Sequence, residues 1–343
     1  MKLLVISKYN KKEKNAGAKA KVDIERILYR RKNCKIKTFY EPANCSKLFR
    51  MISAVFQIVC LKVMNYHICI FQFPFSSKVI DASHADINIG IIHDINGLRY
   101  QDMNLEHKEI AAIDRFDYIV AHNEIMASYL TEKKIDAKKI YTIDIFDYLV
   151  YRDINRTIDS HSIPIIIYPG NLAKTKSPFL YQLDQDRMDF YIYAYGVGIT
   201  DNINDKIIYK GTFQPDNLES IQGDVGLIWD GSWDSSDENK SFKNYTKYNN
   251  PHKFSCCIAC GLPVIVWKRA AIAEFVEQNN VGYTIDNLYE INEINWDDYD
   301  KKKENAINIG KKLKKGFYTE RVIDCILEDL SCNRKTNTKH VNT

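Results

Sequence analysis

Short apolar runs alternate with longer amphipathic segments along the first half of the chain. Continuous apolar strands separated by helices are typical of a parallel sheet that is covered on both faces. The pattern therefore predicts a doubly wound α/β domain. Its predicted strands are 2–7, 35–40, 66–73, 87–94, 117–122 and 139–144, and its predicted helices are 16–31, 46–64 and 123–134.

The alternation resumes after 151–162, a polar segment without periodicity that we interpret as a linker. Apolar periodicity over 316–330 predicts a terminal helix. We therefore predict domains over 1–155 and 156–315, followed by a helix and a polar tail over 316–343. The predicted strands of the second domain are 164–170, 189–196, 206–211, 224–230, 262–267 and 281–286, and a predicted helix covers 270–280.

The composition is typical of a globular enzyme, with 45% hydrophobic and 27% charged residues. Lys8 and Asn10 end the apolar start of the chain too early for a signal peptide, and the stretch 51–64 is too short to span a bilayer. Nine cysteines, an odd number, are scattered along the chain. Without an export signal they predict reduced thiols and a cytoplasmic location.

The formal net charge is only +4, but residues 2–37 hold 13 Lys and Arg against three Asp and Glu. This basic segment is interpreted either as a solvated helix face or as a surface that faces anionic lipid or a pyrophosphate-bearing substrate. No recognition motif and no pattern of stacked aromatic and basic residues is present, so we do not expect a nucleic-acid partner.

Polar residues at the predicted strand ends of the first domain are candidates for chemistry, because ligands bind beyond the carboxyl ends of parallel strands. Gly17 opens the first helix, where small residues let a ligand approach the helix N-terminus. His93 and Asp94 end the fourth strand and are candidate general bases. The alternative is a hydrogen-bonded pair that caps the strand. His122 is better explained as the residue before Asn123, a helix N-cap.

The second domain offers a candidate anion cradle. Gly170 and Asn171 form a turn after a strong strand, and Lys174 and Lys176 follow. Exposed backbone N–H groups with a lysine make a plausible pyrophosphate site. Asp230 ends another strand and precedes a polar loop.

The stretch NNPHKFSCCIACGLPVIV supplies a second cationic position. Pro251 suits the first turn of a helix, with Asn249 or Asn250 as its cap. Lys253 then lies beside the helix N-terminus, and both favour an anionic ligand.

The three cysteines of this stretch raise the alternative of a metal or redox site. His252, Cys256 and Cys260 share one helix face. Zinc sites usually need two separated ligand pairs, however, and redox cysteines lie at the start of a helix. Two Asp-x-Asp triplets, at 184–186 and 298–300, do not follow apolar strands. We therefore predict that the cysteines pack the core and that no metal is bound.

In their order, the runs IFDYLV, YPGNLAKTKSPF, GLIWDG, KYNNPHKFSCCIACGLPVIVW and AAIAEFVEQNNVGY resemble those of bacterial galactofuranosyltransferases of O-antigen and capsule assembly. More distantly, they resemble the glucosyltransferase that extends glycans on streptococcal serine-rich adhesins. IIHDINGLR and NAGAKAKVD in the first half fit the same family.

The resemblance implies a GT-B glycosyltransferase, with two Rossmann-like domains facing a cleft. The C-terminal domain would hold the nucleotide and the N-terminal domain the acceptor. The resemblance also implies no cofactor, a homo-oligomer, and a last helix that packs back on the first domain. Asn171, Lys174 and Lys253 match positions that contact UDP, Glu274 matches a ribose-binding carboxylate, and Gly17 matches a loop of close approach. Gly170, Asp230, Asn250 and His252 complete the predicted binding set.

These observations together predict an inverting hexosyltransferase, with galactofuranose as the leading donor sugar and UDP as the leaving group. Asp94 or His93 would take the acceptor proton, and Lys253 and Lys174 would stabilise the departing UDP. The acceptor would be a lipid-linked or protein-linked saccharide, with peripheral contact at the inner face of the cell membrane. The alternatives are a glucosyltransferase that extends a protein-linked glycan, a UDP-sugar-binding subunit without catalysis, and a basic membrane-surface adaptor.

Overall fold

The computed structural model describes residues 1–10, 16–40, 46–150, 164–200 and 203–340. The predicted linker and the predicted domain boundary lie outside these residues. Within the described ranges, no helix is both long enough and apolar enough to cross a membrane.

The first domain is a six-stranded parallel sheet with helices on its faces. Its strands are β1 (Leu3–Tyr9), β2 (Cys34–Tyr40), β3 (Ile68–Phe73), β4 (Ile87–Ile92), β5 (Tyr118–Ala121) and β6 (Ile140–Thr142). Its helices are α1 (Ala16–Tyr29), α2 (Lys47–Lys62), α3 (Ser77–Ile80), α4 (Asn96–Tyr100), α5 (Met103–Ile113) and α6 (Glu124–Glu132).

The second domain repeats this plan with another six-stranded parallel sheet. Its strands are β7 (Ile165–Pro169), β8 (Tyr191–Tyr195), β9 (Ile207–Tyr209), β10 (Val225–Ile228), β11 (Val264–Trp267) and β12 (Gly282–Ile285). Its helices are α7 (Phe179–Gln182), α8 (Ser241–Tyr245), α9 (His252–Ala259), α10 (Ile272–Gln278) and α11 (Tyr299–Leu313), and α12 (Phe317–His340) ends the described chain. The predicted pair of Rossmann-like domains is confirmed, and each of the twelve predicted strands is present.

The strand orders show where a ligand fits. The first sheet has the order β2-β1-β3-β4-β5-β6, and the second has β12-β11-β10-β7-β8-β9. In the second sheet, β8 and β9 are added on one side of β7, and β10, β11 and β12 are added on its other side. The strand order therefore reverses between β7 and β10. In open parallel sheets the crevice beyond the carboxyl ends at such a switch point is the binding position. Gly170 follows β7, and Asp230 lies two residues after the end of β10.

The cysteines of α9 pack the core of the second domain. Cys256, Cys257 and Cys260 are 4%, 0% and 6% exposed. A hydrogen bond with Cys260 and burial raise the pKa of Cys256 well above its ordinary value, so this side chain stays a neutral thiol. The side chains therefore do what small apolar groups do in a core.

Helix α12 returns to the first domain. The carboxylate of Asp147 accepts hydrogen bonds from the backbone N–H groups of Tyr318, at 3.2 Å, and Thr319, at 2.7 Å. Further along α12, Asp324 forms an ion pair with Arg31 of the first domain at 2.7 Å. These contacts attach α12 to the first domain.

Several basic residues of the first 37 are bound to the protein itself. Lys19 is 6% exposed and donates to Asp23 at 2.6 Å and to the carbonyl of Leu149 at 2.8 Å. It also pairs with Asp216 of the second domain at 2.9 Å. Arg26 approaches the same carboxylate at 3.5 Å. This part of the basic segment therefore joins the two domains rather than forming a free surface.

Candidate active site

A hydrogen-bonded bridge crosses between the two domains at the carboxyl end of β4. The hydroxyl of Tyr245, from α8, donates to Asp94 at 3.3 Å and accepts from the backbone N–H of Ile95 at 3.1 Å. Arg99, from α4, binds both oxygens of Asp94, with Nη1 3.0 Å from Oδ2. Its guanidinium lies 4.7 Å from the ring of Tyr245. The Asp94 carboxylate is thus held by both domains, and its side chain is still 30% exposed.

The second domain contributes a buried ion pair to the same cleft. Lys253 Nζ lies 2.7 Å from Asp230 Oδ1 and donates to the carbonyl of Trp229 at 2.5 Å. Both charged side chains are about nine-tenths buried. Lys253 lies in the first turn of α9, where backbone N–H groups are still unsatisfied.

The lowered pKa of Asp230 reflects the positive charge around this site. Burial works against its ionisation, yet the attraction of Lys253, Lys176 and Arg99 lowers the pKa of its carboxyl below the ordinary value. Lys253 and Lys176 come from the second domain and Arg99 from the first, so positive charge from both domains acts on this carboxylate. An additional anion that entered here would meet three basic side chains and a helix N-terminus.

The two loops at the switch point are bonded to each other. The backbone N–H of Gly231 donates to the carbonyl of Lys176 at 2.9 Å. Asn171 accepts from the N–H of Ala173 at 2.8 Å, which closes the turn that follows β7. Lys174 is exposed and lies over the ring of Tyr181 at 5.7 Å. Of the two loop lysines, Lys176 is therefore the one that acts on Asp230.

Glycine is required at two points of these loops. A Cβ at Gly170 would come within 2.9 Å of the Tyr168 ring. Gly231 has φ +83°, and a Cβ there would lie 2.9 Å from Cβ of Lys243. Only glycine adopts this left-handed conformation without strain and lets the loops approach so closely.

The tautomer of His93 follows from its neighbours. Gln72 Nε2 donates to Ser7 at 2.6 Å and to the carbonyl of Lys21 at 3.0 Å, so its Oε1 must face His93 Nε2, 2.9 Å away. Nε2 of His93 therefore carries the proton, and Nδ1 carries the lone pair. Burial, with a smaller effect of the Lys21 charge, lowers the pKa of His93 well below its ordinary value. His93 is neutral and is a weak base.

Asn250, a predicted nucleotide contact, is bonded to the first domain. Its amide donates to the carbonyls of His122, at 3.2 Å, and Asp144, and accepts from Asn123 at 2.7 Å. Its backbone N–H donates to His122 Nδ1 at 2.9 Å. All of these partners belong to the first domain, so Asn250 joins the domains. It also does not cap α9, since Pro251 takes that position.

The remaining predicted residues are not brought together with the ion pair. The ring of His252 stacks on Tyr148 at 4.9 Å, and burial lowers its pKa to about 3. Glu274 is exposed on the first turn of α10 and accepts from Gln278 at 2.9 Å. Gly17 is exposed in the first turn of α1. Their predicted roles stay predictions.

Two residues that the sequence did not single out complete the site: Arg99 and Tyr245. Lys176, from the predicted anion cradle, acts on the same carboxylate as the Lys253 ammonium, that of Asp230. Arg99 lies five residues after Asp94, one turn into the short helix that follows β4. Because this spacing is short, the pairing of Arg99 with Asp94 could have been predicted from the sequence. Tyr245 lies 151 residues from Asp94, so its contact has no local signal.

Lys243 is buried beside the ion pair. Its side chain is 1% exposed, and its ammonium lies 3.6 Å from the Trp229 ring centroid and 4.5 Å from that of Trp267. Burial lowers its pKa to about 7, against the attraction of Asp237, Asp230 and other acids. In the described ranges, no group of three or more His, Cys, Asp or Glu residues has the geometry to hold a metal ion.

Comparison with known proteins gives full-length matches. The glucosyltransferase 3-like N-terminal domain matches residues 2–145, and the C-terminal domain of the same description matches 166–326. The β-1,6-galactofuranosyltransferase WbbI of Escherichia coli K12 is 30% identical over 336 residues, which cover 94% of this chain and 97% of WbbI. Glucosyltransferase 3 of Streptococcus parasanguinis is 29% identical over 124 residues, 34% of this chain and 35% of its own length.

Among solved structures, Anabaena HepE in complex with UDP-glucose superimposes with a TM-score of 0.60 at 12% identity. The match covers 97% of this chain and all of HepE. At this identity the likeness concerns the fold, which is GT-B.

We predict that Lys243→Met stabilises the protein near pH 7 and that this gain shrinks as the pH rises. In the folded protein the pKa of Lys243 is about 7, against an ordinary 10.5, so between these values the unfolded chain binds more protons. The free energy of unfolding of the wild type therefore rises with pH over this range. The destabilisation caused by burying a charged Lys243 reaches its full size only below about pH 7.

The measurement is Tm of both proteins at several pH values between about 7 and 9. Lys247→Met is the matched control, because Lys247 lies over Trp267 at 5.8 Å but is only half-buried. A Tm difference for Lys243→Met that stays constant over this range would contradict the assignment.

Proposed function

The chain belongs to the glucosyltransferase 3-like family of UDP-sugar-dependent glycosyltransferases, and we propose that it transfers galactofuranose to a saccharide acceptor during surface polysaccharide synthesis. Its full-length similarity to a β-1,6-galactofuranosyltransferase supports this donor sugar over glucose. The second candidate is glucose transfer to a protein-linked glycan. It is supported by the similarity to glucosyltransferase 3, which extends over 34% of this chain.

The observation that carries the proposal is the Lys253–Asp230 pair at the switch point of the second sheet. The departing UDP is an anion, and in this proposal Lys253, Lys176 and the N-terminus of α9 bind its pyrophosphate. These charges are already fixed before the donor arrives, so they stabilise the charge that develops on UDP without reorganisation.

We assign the acceptor side of the cleft to Asp94. The acceptor hydroxyl oxygen attacks the anomeric carbon while its proton passes to the Asp94 carboxylate. The bond between that carbon and the UDP oxygen breaks, and UDP leaves with the electron pair. Attack from the face opposite UDP inverts the anomeric centre. Asp94 is preferred to His93, because burial keeps His93 from accepting a proton.

We propose that this transfer needs no metal ion and no other cofactor. Two lysines, one arginine and a helix N-terminus supply positive charge where a divalent ion would otherwise act. We further propose that the enzyme works as a homo-oligomer in the cytoplasm, on a lipid-linked acceptor at the inner face of the membrane. A protein-linked acceptor is the corresponding partner in the glucose alternative.

The proposal predicts that the purified protein releases UDP from UDP-galactofuranose faster than from UDP-glucose when a galactose-containing acceptor is present. The screen is run with and without EDTA, and the expected rate is the same in both. Preference for UDP-glucose would favour the glucosyltransferase. UDP binding by calorimetry without transfer to any acceptor would favour a non-catalytic subunit.

Lys253→Ala is expected to lower kcat/KM for the donor about a hundredfold to a thousandfold, because one preorganised charge beside the leaving group is lost. Lys311→Ala, at an exposed lysine of α11, is the matched control and should keep the wild-type rate.

The single change leaves the buried Asp230 unpaired, which costs stability. Lys253→Ala combined with Asp230→Asn removes both charges, and a Tm measurement shows which variant is folded. Wild-type turnover by a folded Lys253 variant would refute this role.

Asp94→Asn is expected to lower kcat about a hundredfold or more with little change in UDP affinity, because it removes the base but not the nucleotide contacts. His93→Gln should lower kcat less than about tenfold. The test compares kcat and UDP affinity of both variants. A larger loss of kcat in His93→Gln than in Asp94→Asn would exchange the two roles.

A further inference from the structure

Helix α2 exposes a row of large apolar side chains to solvent. Its inner side buries Gln57 and Leu61, and Gln57 Nε2 donates to Ser53 Oγ at 3.0 Å. Its outer side holds large apolar residues at helical spacing, of which Ile52, Val55 and Val59 are 59%, 60% and 55% exposed. Leu48, Met51 and Phe56 extend the same exposed side. An apolar patch of this kind marks an interaction surface.

The charged residues of α2 are all basic. The sequence of α2 contains no acidic residue, and it carries Arg50 and Lys62 on exposed positions. On the neighbouring edge strand β2, Lys35 is exposed, and Lys37 Nζ lies 6.0 Å from the ring of Phe56. A helix with a broad apolar side and basic flanks is typical of one that lies in the interface of an anionic membrane.

The position of α2 relates this surface to the cleft. It follows β2, so it begins at the carboxyl edge of the first sheet, the edge where β4 presents Asp94. In parallel sheets a helix that follows a strand starts at that edge. The exposed side of α2 thus lies on the domain that carries the proposed acceptor base.

We infer that the outer side of α2 binds the surface of a membrane that contains anionic lipids. The charge pattern disfavours a second copy of this chain as the occupant. A two-fold axis pairs two α2 helices either antiparallel, which brings Arg50 of one copy toward Lys62 of the other, or parallel, which brings each of these residues toward its own copy. With no acidic residue on α2, such a face repels its own copy, whereas lipid phosphates neutralise it.

This inference rests on the proposed function and deepens it, because it places the membrane surface on the domain that carries Asp94. It also narrows the membrane contact predicted from the basic segment 2–37 to Lys35 and Lys37, which lie beside α2. Lys19, Arg26 and Arg31 of that segment are bound within the protein, whereas the apolar side of α2 is exposed.

The test measures binding of the full-length protein to vesicles by flotation. Vesicles of phosphatidylcholine with phosphatidylglycerol should bind the wild type, and phosphatidylcholine alone should bind it at least about tenfold more weakly. Val55→Asp with Val59→Asp should lower binding to the anionic vesicles about tenfold or more, because both positions are on the apolar side. Met103→Asp is the matched control, at a side chain that is 72% exposed in the same domain, and should bind as the wild type does.

Vesicle binding, molar mass and UDP release together decide the outcome. Absence of vesicle binding by the wild type, or equal binding by Val55→Asp with Val59→Asp, would overturn the inference. A fall in molar mass of that variant by light scattering, with vesicle binding unchanged, would assign the surface to a second copy instead. UDP release from donor with a soluble acceptor should be the same in the variant and the wild type. If that activity is absent from both while vesicle binding persists, the proposed function fails and the membrane surface stands.

Discussion

The ion pair between Lys253 and Asp230 is the interaction on which the cleft depends. Lys253 lies in the first turn of α9, where the helix dipole is unfavourable for a cation. Asp230 and the carbonyl of Trp229 hold it there. If either charge of a buried pair loses its partner, the cost is about 3–5 kcal/mol. The fold therefore keeps a desolvated cation in place before any anion binds, which is the condition for strong stabilisation of a leaving group.

The position of that lysine depends in turn on how closely α9 lies on β10. A Cβ at Gly226, in β10, would come within 2.4 Å of the Cys257 sulfur. A larger side chain at either residue would push the helix away from the strand. The first turn of α9 would then no longer reach the carboxyl end of β10, where Asp230 lies. The cysteines thus contribute to the site through their size, not through sulfur chemistry.

The strands could be predicted from the sequence because parallel strands are buried on both faces and read as continuous apolar runs. Helix α11 is harder to predict, since YDKKKENAINIGKKL buries only a narrow stripe that includes Ala306, Ile309 and Leu313. Once the strands are predicted, the position of a residue such as Asp94 near a strand end is predicted too. The bridge from Asp94 to Tyr245 does not, because it joins residues 151 positions apart and depends on how the two domains are placed.

Periodicity also leaves open which side of an apolar helix meets solvent. The sequence predicts a helix at α2, but only the fold shows that Gln57 and Leu61 face inward while Val55 and Val59 face outward. This arrangement divides the recognition of the two substrates. In the proposed transfer the second domain holds its buried cations for a soluble anionic donor, whereas the first domain exposes apolar surface on a helix that begins at the edge carrying Asp94. If the proposed function and the membrane inference hold, an amphiphilic acceptor and a charged donor reach one cleft from two different environments, and the transfer takes place where the domains are bridged.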